Sequence, residues 1–102
     1  MKTQVKNMTC TNGNDVPNQF IITTPEGTYF QSYSSVIAFK PENVCHFPDK
    51  DTPDERRIKL DKRYWDHSQA TGKYRNQFLG ETKKETQQKI DSGVYLLADL
   101  NG

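Results

Sequence analysis

The sequence has few apolar residues and none of the long hydrophobic runs that would attach it to a membrane. Hydrophobic residues make up 32% of its 102 positions and charged residues 26%, which is lean for a globular protein. Met1–Cys10 contains Lys2 and Lys6 but no apolar stretch of the signal-peptide type, and no segment is apolar enough to span a bilayer. We therefore expect a small cytosolic (cytoplasmic) protein with a modest core and no membrane partner.

Cysteine is scarce as well, and the motifs of several chemistries are missing. In a reducing compartment Cys10 and Cys45 favour free thiols over a disulfide, although the sequence does not say whether they approach one another. There is no Walker sequence, no G-x-G-x-x-G and no H-E-x-x-H, and no C-x2-C pair that could begin a zinc site. Asp66, His67 and Ser68 are the residue types of a hydrolase triad, but three consecutive side chains diverge in a strand or a helix. We expect no enzyme, no metal and no cofactor.

The first half of the chain predicts a β-hairpin after an N-terminal arm. Residues 1–17 contain the turn formers Asn7, Asn12, Gly13, Asn14 and Asp15, which predict a partly ordered arm or a short edge strand followed by a loop. Gln19–Thr24 alternates, and Thr24-Pro25-Glu26-Gly27 is typical of a tight turn. Thr28–Phe39 then predicts a long second strand with a bulge or bend at its serines.

The middle of the chain predicts a long loop. Residues 40–57 carry three prolines and five acids, which forbid a helix and favour a Pro-rich acidic loop. Ile58–Leu60 then predicts a short third strand, which could extend through Tyr64.

The last third predicts one or two short helices and a final strand. Lys73–Leu79, between two glycines, is compatible with a helical turn or two. Residues 82–92 are predicted to be a helix, because Thr82 and Glu85 fit a capping box and Gly93 suits the position after a helix end. Val94–Leu100 alternates like a half-buried strand.

The combination predicts a small α+β domain over residues 18–102. Its antiparallel sheet would contain the N-terminal hairpin, the short third strand and the C-terminal strand, with the helices between them. A monomer and an edge-paired homodimer both stay open.

A net charge of +1 conceals two opposed segments. Residues 41–55 carry five acids against Lys50, a balance of about −4 by residue counting. Residues 56–75 carry seven bases against two acids, a balance of about +5 by the same counting. A charged partner would therefore bind to one of these two segments rather than be attracted by the net charge of the whole chain.

The basic segment also contains large aromatic residues, in the stretch YWDHSQATGKYRNQFLGET. Aromatics interleaved with bases favour a nucleic-acid surface, on which rings stack and bases attract phosphate. Large rings also dominate small cores, and Trp, Tyr and Arg are enriched at protein interfaces, so core packing and protein binding remain open. The candidate contact set is Arg63, Tyr64, Trp65, His67, Lys73, Tyr74 and Arg75.

Three stretches resemble a family of small proteins common in phages and mobile elements of Gram-positive bacteria. They are PNQFIITT, GTYFQSYSSVIA and KLDKRYWDHSQATGKYRNQFLGETKKETQQKIDSGVYLLADLN, with TYFQSY and YWDHS…TGKYRNQFL as the more specific motifs. The resemblance covers nearly the whole chain except residues 41–56, where the family has a shorter connection, and His67 stands where tyrosine is more usual. The family brings no established activity, so the resemblance implies a context rather than a mechanism.

That context implies a phage-type accessory protein that binds a host protein or a protein–nucleic-acid complex. One hypothesis is a non-enzymatic inhibitor of a nucleic-acid-targeting host defence system, of the anti-CRISPR kind. Because effector channels are themselves positive, the acidic loop could act there by imitating phosphate. The alternative is a small nucleic-acid-binding regulatory protein that uses residues 56–75.

Overall fold

The computed structural model describes residues 3–49 and 51–102; Met1 and Lys2 of the expected arm and Lys50 of the acidic loop lie outside this part. Within it the chain has an α+β fold with one mixed sheet. The strands are β1 (Gln4–Thr9), β2 (Asp15–Thr24), β3 (Gly27–Ser32), β4 (Ser35–Pro41), β5 (Lys59–Asp61) and β6 (Leu96–Ala98). A 3-10 turn (Asp54–Arg56) precedes β5, and the helices α1 (Gln69–Leu79) and α2 (Lys83–Asp91) lie between β5 and β6.

The strands follow one another across the sheet in chain order, from β1 to β6. Neighbours from β1 to β5 are antiparallel, whereas β5 and β6 are parallel. The α+β class is confirmed, but the expected all-antiparallel sheet is wrong at this last pair. Because α1 and α2 carry the chain back across the sheet before β6 begins, β6 runs in the direction of β5, as crossover connections require.

The N-terminal segment forms an edge strand. β1 pairs with β2 from Gln4 opposite Thr23 to Asn7 opposite Phe20, and a bulge follows before Thr9. Of the two possibilities left open by the sequence, an arm or an edge strand, the described residues form the strand.

The turn at residues 24–27 lies where the sequence predicts it. The Thr24 hydroxyl accepts hydrogen bonds from the backbone N–H groups of Glu26 and Gly27, both at 3.2 Å. Gly27 has a φ of +153°, and a side chain there would collide with the Lys40 carbonyl and the Phe39 ring. The β2–β3 hairpin therefore needs glycine at this position.

The long second strand predicted over Thr28–Phe39 is wrong. The chain reverses between Ser32 and Ser35, which pair with each other across a tight turn, and Tyr33 takes a left-handed φ of 56°. The serines thus mark a second hairpin between β3 and β4. A separate irregularity near Phe30 brings both Ile37 and Ala38 into the core.

β5 ends at Asp61 and does not extend to Tyr64. The Asp61 carboxylate accepts hydrogen bonds from the backbone N–H groups of Arg63 and Tyr64, at 3.0 and 2.9 Å. These bonds replace strand pairing and turn the chain toward α1. The short strand is otherwise found where the sequence places it.

The prediction from the sequence is more accurate for α2 than for α1. α2 has the predicted capping box, with Thr82 and Glu85 each bonded to the other's backbone. α1 begins at Gln69, four positions before the predicted Lys73, because the Ser68 hydroxyl caps it by accepting from the Thr71 N–H. Gly72 therefore lies inside a helix rather than before it.

The core lies between α1, α2 and one face of the sheet. Phe30 and Leu60 are fully buried there, and Phe78 of α1 stacks against Phe30 with ring centroids 5.8 Å apart. Ile90 of α2 packs against the same cluster. Since both helices pack on this face, we call it the core face and the opposite side of the sheet the open face.

Candidate binding surfaces

The predicted contact set lies at the end of the sheet where β5 stops. Asp61 holds this end together, because its second carboxylate oxygen accepts from the Leu100 N–H at 2.9 Å and the Asn101 amide at 3.0 Å. Burial of Asp61 raises its pKa, but these bonds outweigh burial and hold the pKa below its usual value. An ionised Asp61 thus fixes the connection from β5 to α1.

The three aromatic residues of the set belong mainly to the core. Tyr64, Trp65 and Tyr74 are half-buried and pack against the core cluster. The Tyr64 ring also meets His67 edge-on at 5.5 Å, and the Lys73 ammonium lies 5.3 Å from the Tyr74 ring centre. These rings are therefore poorly placed to stack on bases of a nucleic acid.

Arg75 is not part of the outer surface. It is 1% exposed, and its Nη1 donates to the Trp65 carbonyl at 2.6 Å while Nη2 donates to Asn76 Oδ1 at 3.0 Å. The guanidinium also lies 5.2 Å from the Trp65 ring centre. Arg75 thus joins α1 to the preceding loop, and Arg63, His67 and Lys73 are the exposed members of the predicted set.

An open cleft of about 630 Å³ runs along α1 to the beginning of α2. Its lining residues are Asp66, Ser68, Gln69, Gly72, Lys73, Arg75, Asn76 and Lys83. We call it the α1 cleft. It combines three bases with one acid, so its charge is positive.

Asp66 is the acid of the α1 cleft and is shared by two of the bases. Its carboxylate lies 2.7 Å from Lys83 Nζ and 3.4 Å from Arg75 Nη1. Burial opposes ionisation, but the hydrogen bonds from Lys83 and Arg75 keep the pKa of Asp66 below its usual value. Lys73 has no acid in this network, which makes it the base best placed to meet a ligand.

The triad-like residues have separate partners. Asp66 pairs with Lys83 and Arg75, His67 lies against Tyr64, and Ser68 caps α1. The divergence expected from their adjacency is what the structure shows. Within residues 3–49 and 51–102 no three metal-ligating side chains form a cluster, and Cys10 and Cys45 are free thiols.

The acidic loop lies at the other end of the sheet. The Glu42 N–H donates to the Glu26 carbonyl at 2.9 Å, beside the β2–β3 turn. Arg57 is 8% exposed and holds the loop by donating to the carbonyls of Asp49, Thr52 and Gly93. The five acids point to solvent, and Phe47 is 92% exposed.

The open face carries an apolar row that the sequence interpretation missed. Each member lies opposite the next on the neighbouring strand, so all share one face; they are Val5, Ile22, Tyr29, Phe39, Lys59 and Leu96. Lys59 is the one charged member. Phe20, Gln31 and Val36 lie beside the row on the same face.

Among the described residues, no helix covers this row. The residues that pack against the core cluster come from the opposite face, the helices and the loops. Val5 is 61% exposed, and Tyr29 and Phe39 are half-buried against each other, with ring centroids 4.5 Å apart. The available signal was that apolar residues occupy consecutive positions, as in Phe20–Ile22, which makes both faces of β2 apolar.

Comparison with known proteins gives one assignment. A model of DUF8033, a family of unknown function, matches residues 3–93. The chain belongs to this family. The DUF8033 match spans both the acidic loop and the α1 cleft, whereas no curated protein and no solved structure matches the chain.

No helix in the described ranges is long and apolar enough to cross a membrane.

Proposed function

We propose that the protein is a non-enzymatic accessory protein of phage type that acts in the host cytosol by binding a host macromolecule. The phage context comes from the resemblance of its motifs, and the binding role is supported by the α1 cleft. There Lys73 and Lys83 are exposed around a polar floor that Arg75 and Asn76 hold in place. A positive cleft on a folded surface suits a partner that presents acidic groups.

The geometry favours a protein partner over a nucleic acid. Binding of single strands relies on aromatic side chains that are free to stack, and Tyr64, Trp65 and Tyr74 are half-buried against the core. Arg63, His67 and Lys73 remain exposed, and Lys73 lines the cleft. These side chains can pair with carboxylates of another protein without any base stacking.

If the partner is a host factor that targets nucleic acid, the protein would have to bind it at a site outside the nucleic-acid channel of that factor. Such channels are positively charged and would repel the α1 cleft. We therefore place the contact of an inhibited defence factor on its acidic outer surface.

The direct test is affinity capture from the lysate of a Gram-positive host, with three forms of the protein as bait. Lys73 lines the cleft, and Lys84 is an exposed lysine on α2 outside the lining, so Lys73→Glu and Lys84→Glu make a matched pair. We expect the wild type and Lys84→Glu to retain the same host protein and Lys73→Glu to lose it. Equal retention by all three would contradict a contact at the cleft.

Nucleic-acid binding is tested with the same variants. Fluorescence anisotropy with single-stranded DNA, duplex DNA and RNA at two salt concentrations should show no binding by the wild type. Binding that weakens with salt and with Lys73→Glu would instead establish the regulatory nucleic-acid-binding alternative, because phosphate contacts release counterions.

A further inference from the structure

The open face has the composition of a buried surface. Its row of Val5, Ile22, Tyr29, Phe39 and Leu96 crosses the sheet with Lys59 as its one charge. An antiparallel sheet with one solvated face normally carries polar residues there. An apolar face with few charges is instead typical of the centre of a protein interface.

Acids outnumber bases at one end of this face, and the charges beside β5 at the other end are mainly basic. Glu26 and Glu42 are exposed at the end that holds the β2–β3 turn, together with Asp54 and Glu55 of the acidic loop, against the exposed bases Lys40 and Arg56. Lys62 and Arg63 are exposed at the opposite end, where β5 stops; Asp99, after β6, and Asp15, at the start of β2, are exposed acids at that end. A second copy of the sheet packed on this face would therefore fit best with its strands running in the opposite direction to those of the first.

We propose that the open face is the interface of a homodimer in which two sheets pack face to face. The two-fold axis would lie between the sheets and run across the strands. This axis packs each apolar row against the same row of the other copy and brings the acidic end of one copy to the basic end of the other. Glu42, after β4, then lies near the partner's Lys62, which follows the adjacent strand β5.

The size of the face suits a weak but specific dimer. Six strands about 4.8 Å apart and about six residues long give a face of roughly 25 by 20 Å. That is at the low end of specific interfaces, which bury about 800 Å² on each partner. We therefore expect a dissociation constant in the micromolar range, and a concentration-dependent mass.

Lys59 does not prevent this packing. Its ammonium donates to the Asp54 carbonyl of its own chain at 3.1 Å and lies 6.0 Å from the Phe39 ring centre. The exposed carboxylates of Asp54 and Glu55 lie in the adjacent turn. Its ammonium therefore already has a hydrogen-bond acceptor within each copy.

In the proposed dimer the α1 cleft remains accessible to a host partner. Both helices and the α1 cleft lie on the core side of the sheet, so they face outward in each copy. The inference is thus independent of the proposed function, and either can fail without the other.

The first test measures mass by sedimentation equilibrium over a range that reaches about 100 µM, well above the dissociation constant expected for an interface of this size. Ile22→Glu places a charge in the row, and Thr23→Glu places the same charge at the next position of β2, on the other side of the strand. Val5→Glu adds a second row variant at a site that is 61% exposed, where folding is not at risk. We expect a dimer for the wild type and Thr23→Glu, and at least about tenfold weaker association for both row variants, since a buried unpaired charge opposes binding.

A charge exchange tests the orientation. Lys62→Glu and Glu42→Lys should each weaken the dimer several-fold, and the double variant should recover most of the wild-type association. Recovery is expected only if the two positions meet across the interface. Additive weakening in the double variant would overturn the reversed-strand arrangement.

Two results would overturn the proposal itself. One is a monomer mass for the wild type at about 100 µM, a concentration well above a micromolar dissociation constant. The other is a dimer that Ile22→Glu and Val5→Glu leave unchanged, which would assign association to a different surface, such as an edge strand.

Discussion

The two faces of the sheet carry comparable apolar side chains but differ in what covers them. Phe30 and Leu60 on the core face are fully buried under α1 and α2. Tyr29 and Phe39 on the open face are adjacent in sequence to core residues, yet they are only half-buried and pack against each other. The fold itself covers the first pair, whereas the proposed dimer would cover the second.

The largest effect expected from this difference is a contrast between two Phe→Ala changes. Phe30→Ala removes a fully buried ring that stacks on Phe78 and should lower the free energy of unfolding by about 3–5 kcal/mol. Phe20→Ala, on the open face of β2, should lower it by about 1 kcal/mol, within the range of cross-strand pairs. Urea denaturation of dilute protein measures both.

Equal losses for Phe20→Ala and Phe30→Ala would contradict the difference between the two faces. The open face would then contribute to the fold of a single chain as much as the core face does.

Asp61 shares the open side of β5 with Lys59 but is covered by the C-terminal segment, where Leu100 and Asn101 donate hydrogen bonds to it. Asp61→Asn replaces an acceptor of four hydrogen bonds and should cost about 1–3 kcal/mol at pH 7. Urea denaturation at neutral pH measures this loss.

Acid should remove the same contribution in the wild type. The pKa of folded Asp61 is lowered from 3.8, so its stabilisation is complete above that pH and is lost as the pH falls toward the folded pKa. Asp61→Asn should therefore show a smaller decrease in stability between pH 5 and pH 3 than the wild type. An unchanged acid dependence would contradict the role given to this carboxylate.

Gly72→Ala tests the helical layer that covers the core face. The new Cβ would lie 3.6 Å from Arg75 Nη2, an ordinary contact, and alanine is favoured over glycine inside a helix. We expect a gain of about 0.5–1 kcal/mol in the free energy of unfolding, measured as a rise in melting temperature. A loss would show that α1 needs glycine at this position for close packing.

The smallest effect is expected at Ile22. Ile22→Thr keeps a β-branched side chain on a strand, so in dilute protein it should change stability by about 0.5 kcal/mol or less. Chemical denaturation at low concentration measures it. A larger loss would indicate that a single chain buries Ile22.

The sequence predicted those elements whose signals are local. The capping box of α2 and the turn at residues 24–27 depend on side chains within four residues of each other, and both predictions are confirmed. The second hairpin was missed because Tyr33, a bulky residue, occupies a left-handed turn position where glycine or asparagine is the usual signal. The start of α1 was missed because Ser68 caps the helix and Gly72 was taken as its boundary.

The candidate site was predicted less completely, because its geometry depends on contacts distant in sequence. Arg75 is expected at the surface because arginine is rarely buried. Its burial here depends on a hydrogen bond to the Trp65 carbonyl, ten residues away in sequence. The positive cleft requires Lys83 of α2 to meet Asp66 before α1. The open face is defined only by cross-strand register, which a single strand's alternation does not reveal.

The most direct test of the open face as an interface is a concentration series of ¹H–¹⁵N correlation spectra of the wild-type protein. We predict that the backbone signals of the residues in the apolar row and their neighbours in β2, β3 and β4 shift as the concentration rises, while those of α1 and α2 stay in place. Shifts confined to the helices, or no shifts at concentrations where a dimer should form, would contradict the account.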